Sequence, residues 1–217
     1  REAYDDREEA SMIVDTIASM VARDSAQPGD FAIMYRTNAQ SRVLEEAFLA
    51  RGLPYKLVGA QRFYGRREIK DIVAYLRLAF NINDEISLTR VINTPTRGIG
   101  TKTFAALQTR AHNTGLQAGA ILVDLARGTE SPHWESFTNR AASALSRFGT
   151  YLAGWSQQVD QVPPLALMDL ILDETDYKTY IDDGTDEGRD RWENIMELRR
   201  LAGEYQNEGM QTFLEDV

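Results

Sequence analysis

The stretch Asn93-Thr94-Pro95-Thr96-Arg97-Gly98-Ile99-Gly100-Thr101 constrains this chain most, because it interrupts two segments of helical hydrophobic spacing. Leu88, Val91 and Ile92 close the first segment, and Lys102-Thr103-Phe104-Ala105-Ala106-Leu107 open the second. Gly98 and Gly100 lack Cβ, so the backbone can turn tightly there and approach a phosphate closely. Ile99 is placed to anchor the hairpin between the helices, and Thr101 to cap the second one. Thr96, Arg97 and Lys102 complete a surface suited to a duplex backbone, which is contacted without reading its sequence. The whole reads as a helix-hairpin-helix; the alternative is a turn with only a structural role.

Upstream, the pattern is different. Ala10, Ile13, Val14, Ile17, Met20 and Val21 recur at helical spacing over residues 6–23, and Pro28-Gly29-Asp30 then precedes a short apolar run, Phe31-Ala32-Ile33-Met34-Tyr35. Val43, Leu44, Ala47 and Phe48 form a second helical stripe, closed by Gly52 and Pro54 before Tyr55-Lys56-Leu57-Val58. This α-β-α-β order predicts an incomplete α/β unit over residues 1–66, whose sheet further chain would have to finish. From Ile69 the strand signal fades. Helices are expected at 67–80, 85–93, 101–113, 117–126, 134–160, 165–174 and 187–206, giving a mainly α-helical domain over 67–217. The boundary belongs in the 60–82 region.

Two further segments carry candidate chemistry. Arg36-Thr37-Asn38-Ala39-Gln40-Ser41-Arg42 lies where the first predicted strand meets a helix, the end at which open α/β sheets bind ligands. Thr37 and Asn38 are good helix caps, Arg36 and Arg42 are cations, and Asn38, Gln40 and Ser41 can donate to a sugar-phosphate backbone. Capping alone, with Arg42 paired to Glu45 or Glu46, would explain the same residues. In Arg62-Phe63-Tyr64-Gly65-Arg66-Arg67-Glu68-Ile69-Lys70, the cations Arg62, Arg66, Arg67 and Lys70 bracket two aromatic rings, a mix that suits single strands. Ile69, Ile72, Val73, Leu76 and Phe80 form an apolar stripe under which Phe63 can pack, so core roles compete with base stacking for Phe63 and Tyr64.

Net charge, −9 overall, would argue against a nucleic acid were it uniform. It is not: residues 36–110 carry 13 basic and 6 acidic side chains, while residues 111–217 carry 8 and 19. A basic zone between acidic flanks can hold a polyanion in one place. The chain has no cysteine and two histidines, so no structural metal is expected. Neither a long apolar stretch nor a signal-peptide pattern is present, which gives the expectation of a cytoplasmic protein without membrane contact. No G-x-x-x-x-G-K-[ST] loop exists to cradle nucleotide phosphates, so the chain alone is expected to bind no cofactor and to lack ATPase activity.

In order and separation, Phe31–Arg42, Arg62–Arg77 and Thr94–Gly100 resemble motifs of the UvrD/PcrA/Rep helicases of superfamily 1. That resemblance covers nearly the whole chain and is strongest from Asp30 to Thr103. It implies part of the second RecA-like motor subdomain, 2A, followed by the inserted helical subdomain, 2B, with ATP and magnesium bound elsewhere in the parent protein. It also implies single-strand contact near Arg36–Arg42, duplex contact at Arg97–Thr101, a single/double-strand junction as partner, and 3′-to-5′ unwinding in repair or replication. Where family members often have Gly-Gly, this chain has Gly59-Ala60. The competing readings are the same region of an AddA- or RecB-like helicase-nuclease, and a protein-interaction or autoinhibitory module with an acidic helical surface.

Overall fold

The computed structural model describes residues 3–59 and 61–217, so Ala60 of the Gly59-Ala60 pair lies outside the described residues. Helix α1 spans Asp6–Ala22 and starts where the Asp5 carboxylate accepts the Glu8 N–H at 2.8 Å. Three acidic residues fill its first turn, where the helix dipole favours negative charge. Helix α2, Ser41–Ala50, packs against α1, and Ala10, Val14, Ile17 and Val43 are buried there.

The α/β expectation is overturned: no strand occurs among the described residues. Phe31–Tyr35 does alternate, with Ala32 and Met34 exposed and their neighbours half-buried, and Tyr55–Val58 alternates likewise. Alternation shows only that a segment could line a sheet. A strand also needs a partner's N–H and C=O groups, and no backbone hydrogen bond joins these two runs to each other or to anything else described. Both instead border an open depression of about 1010 Å³, with Met34 95% and Val58 85% exposed.

The helical part follows the hydrophobic spacing closely. Helix α3 covers Arg67–Phe80, α4 Glu85–Val91, α5 Thr101–Thr114, α6 Ala118–Leu125, α7 Asn139–Gln158, α8 Pro164–Glu174 and α10 Asp186–Glu204. Two short helices were not expected, α9 at Tyr177–Ile181 and α11 at Gly209–Asp216. Local chemistry sets several ends. Asp84 accepts the Ile86 and Ser87 N–H groups at 3.1 Å each to start α4, Thr185 accepts that of Gly188 at 3.0 Å to start α10, and Pro164 opens α8.

Helix α3 runs through the main core. Its Ile69, Ile72, Tyr75, Leu76 and Leu78 are essentially inaccessible, and α4, α7, α8, α10 and α11 all pack on it. Asp71 is buried in the same helix, receiving the Tyr177 hydroxyl at 2.8 Å and pairing with Arg90 at 2.7 Å. A buried carboxylate needs such partners, because leaving it unpaired would cost several kcal/mol (about 3–5 by analogy with broken buried pairs).

Helices α6 and α7 approach closely at Gly149, where a Cβ would sit 1.9 Å from the Leu122 carbonyl oxygen. That oxygen belongs to helix backbone and cannot swing away like a side-chain tip. Gly149→Ala is therefore expected to lose about 3 kcal/mol of stability by overpacking. A urea unfolding midpoint equal to that of the parent chain would show that the two helices slide apart freely.

Candidate nucleic-acid interface

The hairpin between α4 and α5 is built around one asparagine. Asn93 Oδ1 accepts the N–H groups of Arg97 at 3.0 Å and Ile99 at 3.1 Å, which folds the intervening residues into a compact loop. Side-chain amide oxygens commonly take this role in turns. Ile99 is 2% exposed and belongs to the main core, so it does anchor the loop. Gly98 has φ of +81°, a conformation that favours glycine, whereas Gly100 is extended at φ −78° and ψ 176°. Gly100, not Thr101, occupies the N-cap of α5, and Thr101 is its first helical residue.

Arg97 is turned inward. Its Nη1 donates to the carbonyls of Val91 at 2.7 Å and Ile92 at 3.2 Å, and its Nη2 to the Tyr75 hydroxyl at 2.6 Å and the Thr94 carbonyl at 3.3 Å. The guanidinium carbon also lies 4.9 Å from the Phe148 ring centroid. Tyr75 in turn donates its hydroxyl to the Thr94 carbonyl. Burial pushes that hydroxyl up to about 12, with Arg97 pulling the other way, so it stays protonated and able to donate at neutral pH.

What remains outward at the hairpin is backbone and one cation. Gly98 and Gly100 are exposed, as are Thr96, Thr101 and Lys102. The N–H groups of Gly98, Gly100, Thr101 and Lys102 have no acceptor among the described residues, and Lys102 has no carboxylate within ion-pair distance there. Unpaired donors at a helix N-terminus make an anion-binding surface.

The two other predicted segments meet each other. Ser41 accepts from Arg66 Nη2 at 2.8 Å, and Tyr64 donates to Glu46 at 3.3 Å. Arg42 is 1% exposed, held by Glu197 at 2.6 Å and Glu46 at 2.8 Å; Arg66 is 6% exposed and donates to Asn194 Oδ1 at 2.6 Å. Burial holds the Arg66 guanidinium below its ordinary range, with nearby Glu45 and Glu68 working against that shift. Gln40 Oε1 accepts the Arg36 and Thr37 N–H groups at 2.8 and 3.1 Å, and Asn38 reaches Asp190 at 3.3 Å. Phe63 is buried in the main core and Tyr64 is half-buried against it. Arg36, Arg62, Arg67 and Lys70 are the cations of these segments that face solvent, Arg67 with its guanidinium on the Tyr180 hydroxyl.

Sequence reasoning assigned no role to Asn93 or Tyr75. For Asn93 a signal was present, an amide side chain opening a loop that ends in Gly-Ile-Gly. For Tyr75 nothing marked its hydroxyl from those of the other eight tyrosines.

Comparison with known proteins places the sequence in a family. Residues 1–217 match the model of the UvrD-like helicase C-terminal domain. The chain is 36% identical over 197 residues to DNA helicase II of Salmonella typhimurium, covering 90% of this chain and 26% of that protein. It is 36% identical over 204 residues to ATP-dependent DNA helicase UvrD1 of Mycobacterium tuberculosis, covering 94% and 26%. With ATP-dependent DNA helicase PcrA of Staphylococcus aureus it shares 34% identity over 206 residues, covering 94% and 27%. The chain thus spans about a quarter of the length of these relatives. A match over its whole length, with relatives of this identity, places the chain in the UvrD-like helicase C-terminal domain family.

Proposed function

We propose that the chain is the DNA-handling part of an ATP-dependent 3′-to-5′ DNA helicase, and that the hairpin at 96–102 holds the duplex side of a single/double-strand junction. The observation that carries this reading is the row of unpaired N–H groups at Gly98, Gly100, Thr101 and Lys102, exposed on a loop that Asn93 and Arg97 lock from inside. Such a surface grips phosphate oxygens and carries no base information. In this reading residues 67–217 are the accessory helical unit, and the solvent-facing Arg36, Arg62 and Lys70 are the candidates for single-strand contact. The relatives' names supply the motor: they are described as DNA helicases, two of them as ATP-dependent. The present residues do not fit the nucleotide, since none forms the glycine-rich loop with Gly-Lys-Ser/Thr that cradles its phosphates, so ATP and magnesium belong to other parts of the parent protein.

Gly100 gives the cleanest test. Its φ suits any residue and a Cβ there would meet nothing within 4 Å, whereas alanine at Gly98 would strain the backbone itself. Gly100→Ala combined with Lys102→Gln should keep the fold and weaken duplex binding roughly tenfold at low salt, by crowding one phosphate and removing one cation. Fluorescence anisotropy with a labelled duplex reads this directly. Unchanged affinity in a variant with the parent's circular dichroism would remove the hairpin from the DNA site.

A further inference from the structure

Asn93 Oδ1 sorts the backbone donors of the hairpin into two sets. It accepts the N–H groups of Arg97 at 3.0 Å and Ile99 at 3.1 Å. The N–H groups of Gly98 and Gly100, which alternate with those two along the chain, have no acceptor among the described residues, and both glycines are exposed. Every second donor is taken, and the ones between are left over.

The oxygen that does this sorting is close to the donors it leaves free. Successive backbone nitrogens are separated by no more than one residue's length, about 3.8 Å, so the Gly98 and Gly100 nitrogens each lie within about 7 Å of Asn93 Oδ1. A phosphate oxygen accepting from either would be within about 10 Å of it, no more than the screening length at 0.1 M salt. A charge on that acceptor would therefore reach the phosphate.

For folding alone an aspartate would serve this position equally well. Its carboxylate has the same shape, accepts the same two bonds more strongly, and is as common in such turns as the amide. Asn93 Nδ2 donates to no acceptor among the described residues, so exchanging it for oxygen removes no bond inside the chain. The carbonyls at the end of α4 would disfavour a nearby negative charge, but Arg97 already donates to those of Val91 and Ile92. A preference for the neutral amide arises only where the loop must also receive an anion.

We infer that Asn93 is a positioning residue for the duplex phosphate, an uncharged acceptor that takes up the Arg97 and Ile99 N–H groups and leaves those of Gly98 and Gly100 to an anion. The inference rests on the duplex reading of the hairpin. It adds to that reading a side chain that acts through the loop backbone and through its lack of charge, not through contact with DNA.

The test pairs urea unfolding of the whole chain without DNA with anisotropy on a labelled duplex across about 50 to 200 mM salt. Asn93→Asp should keep the parent's urea midpoint and lower duplex affinity about fivefold at the lowest salt, the loss narrowing as salt screens the added charge. Asn93→Ala should lower the midpoint and weaken binding by a factor that does not depend on salt, because it removes an acceptor and adds no charge. A purely structural role predicts instead that the aspartate variant matches the parent in both measurements. Parent-like duplex affinity in Asn93→Asp overturns the inference, and so does a loss that stays constant with salt, which would come from a distorted loop. A midpoint for Asn93→Asp below that of Asn93→Ala overturns it as well, making the uncharged amide a requirement of folding. The Gly100→Ala, Lys102→Gln variant is measured in parallel. If that variant loses affinity while Asn93→Asp does not, the hairpin reading stands and only the role of Asn93 falls. If that variant binds like the parent, or the unaltered chain binds no duplex, both readings fall together.

Discussion

Replacing Arg97 with alanine is expected to destabilise the chain by about 3 kcal/mol, far more than removing a surface cation would. One guanidinium serves three carbonyls, those of Val91, Ile92 and Thr94, and the Tyr75 hydroxyl, and it lies against the Phe148 ring. Val91 ends α4, so its carbonyl has no further helical N–H to accept. Alanine would leave the Ile92 carbonyl without its donor, leave those of Val91 and Thr94 with only the Thr94 N–H and the Tyr75 hydroxyl, and remove the cation from above the ring. Lysine should not rescue the loss, because a single ammonium cannot reproduce a planar fork with donors in two directions. If Arg97 instead worked as a phosphate contact, Arg97→Ala would lower DNA affinity while leaving the urea midpoint in place, and Arg97→Lys would restore most of it. Equilibrium unfolding of both variants separates these outcomes without any DNA.

Arg97 also shows where the sequence was and was not legible. An arginine beside Gly-Ile-Gly reads naturally as a backbone contact, since the loop could be located from helical spacing and turn residues alone. The direction of its side chain depends on Tyr75, 22 residues earlier, and Phe148, 51 residues later, which no local pattern connects. The same holds for Arg42, whose local candidates were Glu45 and Glu46. It does bond Glu46, but its shortest contact is to Glu197, 155 positions away on α10. Helices α3, α5 and α7 were legible because burial of one face imposes a 3.6-residue period on the sequence itself. The strand expectation failed for the opposite reason: an apolar run such as Phe31–Tyr35 is a property of the segment, while pairing is a property of its neighbours. Helix α9 escaped notice because five residues are too few for a period, and α11 because Gly209 opens it in place of a conventional cap.

The largest loss is expected on removing Arg66, about 3–5 kcal/mol for Arg66→Met, because it compensates a buried acidic cluster. Its Nη1 bonds Asn194, whose own amide donates to Glu68 at 2.7 Å, and its Nη2 bonds Ser41, whose hydroxyl donates to Glu45 at 2.9 Å. Glu45 also accepts from the Phe63 N–H at 3.2 Å and the Tyr55 hydroxyl at 3.3 Å. Ser41, Glu45, Arg66, Glu68 and Asn194 are all buried, so the network joins α2, α3 and α10 with little water to screen it. Methionine fills much of the arginine's volume and supplies none of its charge. The two glutamates would then face each other's field in a low-dielectric interior with no cation between them. Removing one acid should relieve part of that strain, so Arg66→Met with Glu45→Gln is expected to be more stable than Arg66→Met alone by at least about 1 kcal/mol, a coupling that a double-mutant cycle measures. A cost under about 1 kcal/mol for Arg66→Met, with duplex and single-strand affinity reduced, would instead make Arg66 a DNA contact whose buried partners are incidental. The expected result is the reverse, a chain that unfolds more easily while any duplex affinity of the folded parent is left unchanged.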